Sequence, residues 1–344
     1  MKKFTKVFDK RNGGGVLVLS SILALSLMFA SCANNSDSDD KNPGSFPTGN
    51  PSTSLPANVG NNPIQNKITL KHSDYATLVM KTDDTAEYYD DGELEYVFKY
   101  TWDTTKQEIY MALEKMAYWN MGGEPQLLTY GQTLSKINED YTVEKMRKYN
   151  QEYYEERKGE DWFEEDYPNC DTYEKFEKAF IEDRGCSSFE DFVKSCKKDD
   201  EINLKATFGA LITFSYEVNE NDKITLTEKF TGVKNLFDSR CEYENYNDGK
   251  DIEARIYCSY ANISEYDSKN RFEEYYYGYP NADKRTIDFE KVRDTWTEDW
   301  KHERVSLGNV KATYTEDISG KTVTIKCEGK EYVCEFKGQK FIQE

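Results

Sequence analysis

The sequence predicts an α+β chain: an antiparallel, β-rich meander, folded as a barrel or a sandwich, with a helical insert at about residues 126–205. Three observations carry that reading. The stretches Glu95–Trp102 and Ile252–Tyr260 alternate between apolar and polar residues, the period of a half-buried strand. Between 126 and 205 the period changes to that of helices, with capping residues at their starts. Short turn signals, Asp90-Asp91-Gly92, Asp248-Gly249 and Glu328-Gly329, separate apolar runs on either side of the helical stretch.

Residues 1–31 form a leader. Lys2, Lys3, Lys6, Lys10 and Arg11 precede an apolar run from Val16 to Ala30, which is of signal-peptide length and short for a membrane span. It ends in Leu27-Met28-Phe29-Ala30-Ser31-Cys32. Small residues before a cysteine resemble the lipobox of bacterial lipoproteins. That resemblance implies cleavage before Cys32 and lipidation of its thiol. Phe29 stands where most bacteria place Leu, as in the looser lipobox of spirochaete lipoproteins. A secretory signal with a chance cysteine, or a short membrane anchor, is the plain alternative. The lipobox implies an exported protein held to a membrane by its N-terminal lipid. Ala33 follows the cysteine rather than Asp, which by resemblance to the lipoprotein sorting rule argues against inner-membrane retention and implies the outer membrane, on either its surface or its periplasmic face.

Residues 32–66 read as the lipidated cysteine and a disordered tether, rich in Asn, Ser, Asp, Pro and Gly. Such a coil reaches about 30 Å. The body, 67–344, divides into strands at 67–125, the helical insert, and strands plus one helix at 206–344. The formal charge is −19, or −23 without the leader's five basic residues and one acidic residue. A surface this negative excludes nucleic acid as a partner.

Within the body, Tyr75–Lys81 is a short apolar run. Tyr96, Phe98, Tyr100 and Trp102 then share one strand face, and Ile109 and Met111 start the next strand. A charge-rich helix is expected at Val143–Arg157. Capping boxes at Asp171-Thr172-Tyr173-Glu174 and Ser187-Ser188-Phe189-Glu190 open two more. Phe208–Val218 and Ile224–Phe230 form a hairpin around Asn219–Asp222. Phe289, Val292, Trp296 and Trp300 fall at helical spacing and predict an amphipathic helix over 287–301. Val323, Ile325 and Cys327, met by Tyr332, Cys334 and Phe336, predict a terminal hairpin. An aromatic-ended strand, a polar turn and a restarted strand recur at Tyr100, Tyr216 and Tyr314. About ten strands result, enough for a barrel or a sandwich.

Cys241 and Cys258 flank Asp248-Gly249, and a hairpin closed around 249–250 sets them opposite each other as a candidate disulfide. The register expected for the last hairpin puts Cys327 opposite Tyr332 and Cys334 opposite Ile325, as small core residues.

Residues for chemistry are scarce. The two histidines, His72 and His302, have no third partner for zinc, and no C-x-x-C, G-x-S-x-G or calcium-loop pattern occurs. No metal, cofactor or catalytic residue is expected, and the chain reads as a non-enzyme. Tyr275, Tyr276, Tyr277 and Tyr279, with Trp296 and Trp300, are the candidate interaction patch, because a strand turns alternate rings outward. The lipobox, the polar tether, the tyrosine-rich hairpins and the capped insert Asp171–Phe180 together resemble treponemal lipoproteins, some of which carry a lipocalin-like barrel. The Gly-x-Trp signature of true lipocalins is absent. The expected function is surface binding of a protein or glycan partner by a lipid-anchored envelope protein. The alternative is a lipocalin-like carrier of a small hydrophobic ligand.

Overall fold

The structure, a computed structural model, describes residues 53–344 except 74, 119–124, 161–162, 165–166, 185, 238 and 298–301. The leader, Cys32 and Trp300 lie outside the described residues. The expected β-rich meander is present as two closed antiparallel barrels of eight strands each, one nested in the sequence of the other.

The first barrel begins with β1 (Ile68–Lys71), β2 (Ala76–Met80), β3 (Thr85–Asp90), β4 (Glu93–Asp103) and β5 (Glu108–Tyr118). Among the described residues, the chain then forms a short β6 (Gln126–Leu128) and four long helices: α1 (Tyr130–Asp140), α2 (Val143–Arg157), α3 (Tyr173–Asp183) and α4 (Phe189–Gly209). It returns to the barrel with β7 (Leu211–Val218) and β8 (Ile224–Glu228). A complete second barrel follows: β9 (Arg240–Asn247), β10 (Lys250–Ile256), β11 (Ala261–Asp267), β12 (Phe272–Pro280), β13 (Thr286–Trp296), β14 (His302–Asp317), β15 (Thr322–Cys327) and β16 (Lys330–Lys337). Only then does β17 (Lys340–Gln343) pair with β8 and β1 and close the first barrel.

Each barrel has its own core. Leu70, Met80, Tyr100, Ile109, Met111 and Leu226 fill the first, and Ile256, Ile263, Phe289, Val323 and Ile325 fill the second. Inward side chains from every strand remove apolar surface from water at roughly 25 cal/mol per Å². β5 is buried on both faces, inside the barrel and outside against the helices, which explains its long apolar run. The helices start where the caps predicted. The Thr172 side chain accepts from the Lys175 amide, and that of Ser188 from the Asp191 amide. Behind those caps, Phe176 packs on Tyr154, Phe163 and Tyr167 at ring-centroid distances of 5.4, 5.3 and 4.9 Å.

Three expectations are corrected here. The helix expected at 287–301 is the strand β13 over its described part. Phe289 points into the barrel, while Val292 lies beside Tyr275 on the covered outer face. Apolar residues on both faces of one strand, Phe289 inward and Val292 and Trp296 outward, imitate a helical spacing. The body also starts before residue 67. Ile64 is buried, the Val59 amide donates to the Trp102 carbonyl at 2.9 Å, and the Trp102 indole donates to the Gly60 carbonyl at 3.1 Å. Residues 58–66 therefore close one end of the first barrel rather than serve as tether.

The third correction concerns the hairpins. Asp248 and Gly249 both have positive φ, 51° and 79°, the pattern of a two-residue type I′ turn. Lys250 therefore faces Asn247, and Ile256, not Cys258, faces Cys241. No disulfide joins Cys241 to Cys258. Glu328 and Gly329 make the same turn, so Cys327 faces Lys330 and Cys334 faces Val323. Both of these cysteines are buried in the second core, as their assignment to the core requires.

The connection between β8 and β9 serves both barrels. Phe230, Val233 and Leu236 enter the core of the second, and Phe237 enters that of the first. Thus the inner end of the second barrel is stoppered by its own entry segment, and its far end is where a site can form.

Candidate functional site

The far end of the second barrel is lined by charge. The register puts Glu265 opposite Glu274, Glu274 opposite Arg293, and Tyr276 opposite Lys291. All lie on the inward face defined by Ile263, Gly278 and Phe289, one or two residue pairs nearer the mouth. Lys330 and Tyr332 continue that ring from β16.

These side chains form two linked clusters. Lys291 Nζ lies 2.6 Å from Glu328 and 3.4 Å from Glu274, and 4.8 Å above the Tyr276 ring. Tyr276 donates to Glu328 at 2.7 Å, and Arg293 Nε donates to Glu274 at 2.9 Å. On the other side Lys330 Nζ donates to both oxygens of Glu265, at 2.7 and 2.6 Å, and the Tyr332 hydroxyl donates to it at 2.5 Å. Burial pushes the Glu274 carboxyl up, but Arg293 and Lys291 outweigh it and hold it below the usual range. Lys291 and Tyr276 hold that of Glu328 down. Among these described side chains, three carboxylates (Glu265, Glu274, Glu328) are balanced by three cations (Lys291, Arg293, Lys330).

Beside Glu265 the mouth opens into a cleft of about 390 Å³, lined by Asn245, Asn247, Asp248, Lys250, Ile252, Asp267 and Lys269. Its floor residue Ile252 pairs directly with Glu265. Asp267 is fixed by its own loop: Oδ1 accepts from the Lys269 and Asn270 amides at 3.0 and 3.1 Å. Hydrogen bonds from Asn270 hold its carboxyl below the usual range. The cleft therefore offers two carboxamides, two aspartate side chains and two lysine ammonium groups, a balanced set suited to hydroxyl and amide partners.

Behind this mouth the second barrel's core is packed by Ile256, Ile263, Phe289, Val323 and Ile325. A cavity in the first barrel, between Leu78, Tyr88, Met111 and Phe214, measures about 20 Å³, room for one water.

The aromatic residues singled out from sequence are distributed otherwise than expected. Tyr276 points into the second barrel and belongs to the mouth. Tyr275, Tyr277 and Tyr279 point outward but are half-buried. The Tyr277 and Tyr279 hydroxyls meet at 2.9 Å, and Tyr279 reaches Asp199 of α4. Trp296 packs on Tyr266 at the outer surface, with ring centroids 6.2 Å apart. The run therefore supplies one ring to the mouth and three to the face turned toward the helices. Sequence reasoning missed the charged mouth. Its signal was the parity of Glu274, Lys291 and Arg293, which share the inward register of Tyr276 and Phe289.

Among the described residues, no group of three or more His, Cys, Asp or Glu side chains is placed to hold a metal. His72 faces the Lys340 carbonyl through Nδ1 at 3.0 Å. No described helix is long and apolar enough to cross a membrane. No protein-family model, curated protein or solved structure matches this chain.

Proposed function

We propose that the protein is a lipid-anchored, non-enzymatic component of the cell envelope, tethered through Cys32, that binds a glycan or protein partner at the mouth of its second barrel. The observation that carries this reading is the open, charge-balanced cleft above packed interiors. Net neutrality favours an uncharged, hydroxyl- or amide-rich group over a free anion or cation. Glu265, Glu274 and Glu328 are each tied to a cation, which suits a rigid binding rim better than proton transfer.

The alternative, a lipocalin-like carrier of a small hydrophobic ligand, has the two closed barrels in its favour. The rings and branched side chains that fill their cores count against it, because a lipid needs an apolar cavity of several hundred Å³ and the cleft at the mouth is lined by amide and charged groups.

Glycan and envelope-protein arrays probed with the full chain in detergent test the proposal. Binding that weakens about tenfold or more in Asn245→Ala or Asp267→Ala supports it. Absence of binding, or binding indifferent to both substitutions, overturns it. A bound lipid-sized mass in native mass spectra would favour the carrier.

A further inference from the structure

The chain passes between the two barrels twice, and Glu228 sits where both passages meet. It is the last residue of β8, and its side chain is buried at 5% exposure. Its Oε2 accepts from the Ser239 hydroxyl, at the entrance to the second barrel. The same oxygen accepts from the Gln339 amide, at the exit, at 3.1 Å. The backbone repeats the tie, since the Glu228 amide donates to the Gln339 carbonyl at 2.8 Å.

Among the described residues, no cation pairs with this carboxyl. The cavity beside it is lined by β2, β3, β4, β5, β7, β17 and Phe237, and Tyr88 is the only other titratable group among its lining residues. Of the charged neighbours along the chain, Lys229 pairs with Glu108, while Arg240 and Lys337 pair with Glu242.

We propose that Glu228 is a proton-controlled latch between the barrels: neutral, it stays dry between the entering and leaving segments and keeps the junction closed; ionised, it draws water into the junction, loosens it and frees the second barrel to reorient. An ionised carboxylate in this apolar setting must draw in water or shift its surroundings, and the cavity gives that water a place to enter. Burial pushes the Glu228 carboxyl up to about 7, against the lowering effect of Ser239 and Gln339. A carboxyl raised in the folded state stabilises the closed junction at low pH, and that stability is lost as pH rises toward 7.

Hydrogen exchange of the full chain, corrected for intrinsic rates, tests this in peptides covering 228–240 and 336–341. Between pH 5.5 and 8, protection there should fall on the order of tenfold or more. It should be independent of pH in Glu228→Gln. Asp200 of α4 is also a buried carboxyl raised to about 7, so Asp200→Asn is the control and must leave the junction's pH dependence intact. A flat wild-type profile overturns the proposal, as does a dependence that persists in Glu228→Gln or vanishes in Asp200→Asn. Should Glu228→Gln not fold, the wild-type and Asp200→Asn profiles decide by the same criteria. None of these outcomes depends on partner binding at the mouth.

Discussion

Phe230 and Phe237 belong to one short connection and to two different hydrophobic cores. Phe230 stacks on Phe336 in the second barrel at 5.1 Å, while Phe237 meets Tyr96 edge-on in the first, also at 5.1 Å. One segment thus stoppers two barrels, and each ring reports on a different one.

Replacing either ring should cost about 3–5 kcal/mol, the usual penalty for Phe→Ala in a packed core. Phe237→Ala should lower hydrogen-exchange protection in β3, β4 and β17 and spare β14 and β15. Phe230→Ala should do the reverse. Equal loss across both barrels in both variants would show that the cores do not unfold separately.

Lys291 holds two carboxylates at once in the mouth. Lys291→Met removes their shared cation and should cost about 1–3 kcal/mol by leaving hydrogen-bonding groups unmet. Lys291→Arg should recover part of that loss. Chemical denaturation at pH 7 measures both.

The same cluster has a defined acid limit. Glu274 and Glu328 have folded pKa values below the reference of 4.5, so their stabilisation is complete above it. It is lost as pH falls through the lowered values. Tyrosine fluorescence of a chain lacking Lys291 should show a weaker acid transition below about pH 4.5 than wild type.

Gly329 has φ +79° and open space around an added Cβ. Gly329→Ala therefore costs conformational strain alone, about 1–2 kcal/mol. A melting temperature equal to wild type would contradict the turn assigned here.

Cys241 and Cys258 are two residues out of register in their hairpin. Non-reducing peptide mapping should recover them in peptides that are not linked to each other. A linked pair would require the β9–β10 register to slip.

Local signals were legible in the sequence wherever one element decided them. Val143–Arg157 is helical over the expected range, and Thr172 and Ser188 cap the next two helices, because caps and periodicity act within a few residues. The two misplaced hairpins share one cause. Gly was put in the first central position of the turn, whereas type I′ geometry put Asp248 and Glu328 there and Gly second. That moves the turn by one residue and the pairing by two, keeping each side chain on its predicted face.

Closure was not legible. That β17 completes a barrel begun at β1 depends on pairing across the whole body, for which a strand's own residues carry no marker. The mouth escaped for a related reason. Lys291 and Arg293 look like solvent residues until β12 is placed beside them and Glu274 becomes their neighbour.

The nesting of the barrels sets an order on synthesis. Every strand of the second barrel precedes β17, so that barrel can fold while the first is still an open sheet with β1 and β8 exposed as edges. The first barrel is sealed by residues 340–343, made long after its other strands. A chain stalled or clipped between β16 and β17 would carry one finished barrel and one sheet with two bare edges, and a protease or chaperone that reads bare edges would distinguish it from the completed protein.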